Sequence, residues 1–105
     1  MKIDAITNNP QGLINAIDFA FKKDELKTWE KKLNGKGESL YSHTGQWAES
    51  AMPKPYIYKD KVTFEMKWWS KDDEPDKETK GYILGRFTEI LMVHFRDNFD
   101  HLIID

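Results

Sequence analysis

The chain contains no cysteine. That removes thiol nucleophiles, cysteine-based zinc sites and disulfide frameworks at once, and it suits a reducing compartment. No apolar run approaches the ~20 residues that a bilayer-spanning helix needs. The opening stretch MKIDAITNNPQ has no hydrophobic h-region, so no signal peptide is expected and the expected location is cytoplasmic. Charge of either sign is not in excess. The formal net charge of −2 lacks the basic footprint of a nucleic-acid binder, so the chain is expected to touch neither nucleic acid nor membrane. The histidines His43, His94 and His101 show no H-x-x-x-H or H-x-H spacing. With no set of convergent ligands, no metal site is expected, and no motif calls for a cofactor. No repeat, low-complexity tract or linker divides the 105 residues, which predicts one domain over 1–105. A chain of this size hides roughly two thirds of the surface its unfolded form exposes, enough for a core.

What is present in quantity is aromatic surface: four Trp, four Tyr and six Phe. Tryptophan is costly to leave in water and carries an N–H to satisfy, so four of them imply a large core, a binding face, or both. The longest apolar-periodic run is Gly81–Phe99. Ile83, Phe87, Ile90, Leu91 and His94 recur there at helical spacing, as do Leu84, Phe87, Leu91 and Phe95. So wide a stripe predicts a helix largely buried against a sheet, capped by Asp76 or Thr79. Gly85 inside it costs up to ~1 kcal/mol relative to alanine, which makes sense where backbone or a ring approaches closely. A second helix is predicted over Pro10–Lys22. Asn9 suits its cap and Pro10 its first position, and Leu13, Ile14, Ile17, Ala20 and Phe21 share its inner face.

Between the helices the period changes. Thr28–Leu33 and Glu38–Thr44 read as a hairpin about the turn Asn34–Gly37, its lysine-rich first strand able to fray as an edge. Pro53 and Pro55 forbid a central strand where they stand. Tyr56–Tyr58 is strand-like. Val62–Trp69 alternates most cleanly, with Val62, Phe64, Met66 and Trp68 facing the long helix and Trp69 turned toward solvent or a partner. His101–Ile104 adds a short last strand. The class that follows is α+β: an antiparallel sheet of four or five strands packed against two main helices in one compact domain.

Three clusters could carry function. Lys71–Glu78 reads KDDEPDKE, placing Asp72, Asp73, Glu74 and Asp76 close to Trp69. Its plain reading is a solvated, mobile loop. Its functional reading is an anionic lure for a basic partner, anchored by the aromatic. His43 and Trp47 lie in HTGQW at a strand end, where binding residues often sit; the plain reading there is a turn whose Trp47 pins the hairpin to the helix. His94 could act as a general base with Arg86 holding an anion and His43 nearby. The plain alternative is a half-buried histidine beside an Arg86–Glu89 ion pair.

Thr28-Trp29, Ser42–Trp47, the proline-bearing strand that follows and GRFTEILMVHF over Gly85–Phe95 together resemble the immunity proteins of bacterial contact-dependent growth inhibition systems, the Yersinia type in particular. The resemblance spans Lys27–Phe99. It implies a small α+β protein that binds a cognate toxin domain and blocks it, with no catalysis of its own. It also implies that the toxin is a nuclease, a ribonuclease in the Yersinia type. A nuclease carries a cationic cleft for phosphates, which an acidic loop can fill. On this reading the partner-binding residues are Asp72, Asp73, Glu74, Asp76 and Trp69, with His43 and Trp47 as a second patch. The partner is then a basic nuclease domain, with no small-molecule substrate. The rival expectations are a small enzyme using His94, Arg86 and His43, and a homodimeric adaptor that associates through its aromatics.

Overall fold

The computed structural model describes residues 1–105. Lys2–Ile6 forms β1, a strand that so short a run does not announce in the sequence. Its Ile3 and Ala5 are fully buried, while Asp4 faces the other way and accepts a 2.7 Å hydrogen bond from Thr63. Pro10–Lys22 is α1, with the predicted bounds and cap. The Asn9 side chain accepts from the Gly12 amide at 3.1 Å, and a Cβ at Gly12 would run into that same side chain. Trp29–Leu33 (β2) and Ser39–His43 (β3) make the predicted hairpin, and Gly37 supplies the positive φ of its turn.

Met52–Ile57 is β4, Lys61–Lys67 is β5, Lys77–His94 is α2 and His101–Ile104 is β6. The main sheet is four-stranded and antiparallel, in the order β4-β5-β1-β6, and β2-β3 stands apart as a two-stranded sheet. Ile3 lies opposite Phe64 and Ala5 opposite Val62. These residues and Met66 form one core with Leu13, Ile14 and Ile17 of α1, Ile83, Phe87 and Leu91 of α2, and Trp29 and Tyr41 of the hairpin. Both helices and the hairpin therefore cover one side of the sheet.

The separation of the two sheets follows from Pro53 and Pro55. Tyr58, two residues on from Tyr56, donates its backbone N–H to Lys61 of β5. Residues 52, 54 and 56 share that parity, so their N–H groups point to β5 and positions 53 and 55 point away from it. Those outward positions carry no donor in proline. β3 runs beside β4 yet builds no ladder with it. Contact is made instead by side chains, such as Lys54 to Glu38 at 3.0 Å.

Helix α2 uses one of its two predicted caps: the Asp76 carboxylate accepts from the Thr79 amide at 2.7 Å, and the helix begins at Lys77. It departs from expectation in two ways. It stops at His94, and Arg96–Asn98 follows as a 3-10 turn. It is also one-sided: Ile83, Leu84, Phe87, Ile90 and Leu91 are buried, while Tyr82, Met92, Val93 and His94 are exposed. The apolar residues on its outer side widen the stripe in sequence without belonging to the core. A methyl group at Gly85 would meet nothing within 4 Å, so no close approach inside the chain explains it. None of the helices is long and apolar enough to cross a membrane.

Candidate binding face along the second helix

Strand β5 ends at Lys67, so Trp68 and Trp69 leave the alternation. Trp69 does not point freely outward. It is half-buried, and its indole Nε1–H donates to Glu49 Oε1 at 2.8 Å. Glu49 holds a backbone φ of 57°, which is uncommon for a side chain of that size, and its N–H donates to Ser42 Oγ at 2.9 Å. Left-handed backbone at a non-glycine residue stores strain, and here it aims a carboxylate at the tryptophan. Glu49 belongs to the site and was missed from sequence, since nothing in the Ala48–Met52 connector signals a left-handed residue.

The acidic segment is better anchored than a mobile loop. Glu74 accepts from Lys80 at 2.7 Å, and the Lys80 ammonium also lies 5.5 Å from the centre of the Trp68 ring. The Lys80 hydrogen bond holds the Glu74 carboxyl below the usual carboxylate range, and the Thr79 backbone amide does the same for Asp76. Glu74 and Asp76 are thus occupied within the fold. Asp72 and Asp73 are exposed, and their carboxylates form no ion pair or hydrogen bond within the chain. They border a shallow concavity with Trp69, Glu49 and Thr79.

The second patch is built of rings. Trp47 stacks on Tyr82 of α2 with centroids 5.6 Å apart and planes within 10°. His43 meets Trp47 edge-on at 5.3 Å and Trp29 at 5.1 Å. Trp29 meets Phe87 in the core at 5.4 Å. Trp47 therefore does pin the hairpin segment to the helix, and a file of rings runs from the exposed Tyr82 to the buried Phe87. The His43 Nδ1 lies 2.6 Å from the Thr44 carbonyl oxygen; a contact to a carbonyl requires the proton on Nδ1, which leaves Nε2 open.

His43, Trp47, Arg86, Glu89, Val93 and His94 line one open groove of about 570 Å³. His94 is exposed there, not half-buried. The three residues of the catalytic alternative share this groove, although no hydrogen bond joins any two of them. Arg86 and Glu89 approach to 3.7 Å with both side chains more than half exposed, a pair of little energetic weight. Trp47, Arg86 and Glu89 also border the hollow over Gly81, Tyr82 and Gly85. The acidic concavity begins at Ala48, next to Trp47 in the chain, and includes Thr79, one turn before Tyr82, so the two patches follow one another along the outer side of α2.

The largest concavity, about 670 Å³, lies at the other helix, between Thr7–Asn9, Asp60 and Asp97–Asp100. It contains none of the candidate site residues named from sequence. Comparison with family models, curated proteins and solved structures finds no match for this chain.

Proposed function

We propose that this chain is an immunity protein. It acts in the cytoplasm and neutralises a basic nuclease toxin domain, in the manner implied by its resemblance to contact-dependent growth inhibition immunity proteins. The observation that carries this reading is the pair of unengaged carboxylates, Asp72 and Asp73, in a concavity that adjoins the Trp47–Tyr82 stack along α2. Free carboxylates steer a cationic cleft into contact, and rigid aromatics supply the anchors on which tight interfaces depend. Glu49, held by the Trp69 indole, lines the same concavity. Glu74 and Asp76 act indirectly, by fixing the course of the segment.

Titration of a cognate nuclease domain with the wild-type chain and with the Asp72→Lys, Asp73→Lys double variant tests this. The expected result is at least a tenfold loss of affinity with a shallower salt dependence. The same affinity at every salt concentration would remove the acidic end from the interface.

A second reading has one observation in its favour: His43, Arg86 and His94 do line a single open groove. The open Nε2 of His43 could take a proton, and Arg86 could hold an anion. Purified protein that turns over a phosphate or carboxylate ester, and loses that turnover in a folded His94→Ala variant, would establish this reading over the first.

A further inference from the structure

The two edges of the main sheet are treated differently. At β4 the outward positions are prolines and the hairpin lies alongside. At β6 nothing lies alongside, and Ile103 and Ile104 are 48% and 54% exposed. We infer that the β6 edge pairs with the β6 edge of a second copy of this chain, antiparallel about a two-fold axis at Ile103. The inference does not depend on the proposed nuclease partner.

The hydrogen-bond parity of the edge sets the register. Lys2 and Asp105 exchange both backbone bonds at 3.0 Å. By alternation, Ile103 and His101 also turn their backbone groups inward to β1. Leu102 and Ile104 therefore present their N–H and C=O groups to the open side. In the register that places Ile103 opposite its own counterpart, Leu102 lies opposite the second copy's Ile104 and exchanges both hydrogen bonds with it. The reciprocal pair does the same.

Side chains agree with that register. The close, non-hydrogen-bonded positions then bring Ile103 to Ile103 and set His101, whose Nδ1 is already held by its own Asp100 at 2.6 Å, opposite the second copy's Asp105 on the outer face, with Nε2 the nitrogen left for that carboxylate. On the core face Ile104 packs on Leu102, which already touches the core. Moving the register by two residues in one direction sets Ile104 against Asp100 and leaves the isoleucines uncovered. Of the two, the two-fold at Ile103 is the arrangement that covers every exposed apolar group of the strand. The strand is four residues long, so the contact belongs to the small, reversible class of interface.

Sedimentation velocity across a concentration series tests this on the wild-type chain and on Ile103→Lys, a change at an exposed position that sets two ammonium groups against each other at the axis. The wild type is expected to shift from monomer toward dimer as concentration rises, and the variant to stay monomeric with an unchanged Tm. Monomer throughout for the wild type, or a dimer indifferent to the substitution, would overturn the proposal. So would a monomeric wild type whose Ile103→Lys variant loses toxin binding, since the edge would then serve the toxin. The Asp72→Lys, Asp73→Lys variant should dimerise normally, which separates this outcome from failure of the acidic face.

Discussion

The two helices pack on the same side of the same sheet, and their outer faces have little in common. The outer face of α1 is Gln11, Asn15 and Lys22, with exposed Phe19 partly covered by the Lys23 ammonium 5.4 Å above its ring. The outer face of α2 carries two glycines that nothing inside the chain requires and three large exposed apolar side chains, Tyr82, Met92 and Val93. Interior glycines weaken a helix, and Tyr82 and Val93 border the hollows already described on that face. The difference teaches that α1 is composed for the stability of the free chain and α2 for a surface as well.

The comparison breaks most readily in the core, where the helices should be equals. Phe87→Ala is expected to cost about 3–5 kcal/mol and Leu13→Ala about 2–5 kcal/mol, read from urea denaturation. A much smaller value for Phe87 would show that α2 is not a second support. Next come the outer faces. Val93→Ser should leave stability within about 0.5 kcal/mol yet reduce affinity for the proposed nuclease partner at least fivefold, whereas Asn15→Ser on α1 should change neither.

The caps sharpen the contrast further. Asn9→Ala at α1 should cost about 1 kcal/mol at every pH. The start of α2 should be pH-sensitive, because the Glu74 and Asp76 carboxyls are depressed in the fold. Groups depressed on folding stabilise fully above the unfolded carboxyl range and lose that contribution as pH falls through their lower folded values. Hydrogen exchange in acid should therefore show Lys77–Lys80 opening before the first turn of α1. The smallest effect is a gain: Gly81→Ala and Gly85→Ala should each stabilise by about 0.5–1 kcal/mol, since the added methyl groups meet empty space.

Much of the fold was legible because its signals are local. Asn9-Pro10 marks a helix start, Asn34–Gly37 a turn, and Val62–Met66 a strand half in the core. β1 was not legible, since KIDAI includes an aspartate and an alanine that favour strands poorly. Its place at the centre of the sheet depends on β5, some sixty residues away (Asp4 to Thr63 in the ladder). The acidity of the site was plain in the sequence. Which carboxylates remain free was not, because Lys80 and the Thr79 amide take up Glu74 and Asp76 only once α2 has formed. The convergence of His43 with Arg86 and His94 likewise required the hairpin to be seated on the helix.

That seating is made by rings and a few side-chain bonds, with no backbone ladder between β3 and β4. Structure fastened this way can detach as a unit without tearing the main sheet. Amide protons of Trp29–Leu33 and Ser39–His43 would then exchange together and sooner than those of β5. The proposed partner, clamped across Trp47 and Tyr82, would slow them in concert, so protection at Leu33 and Ser39, outside the proposed contact, would report that it had arrived.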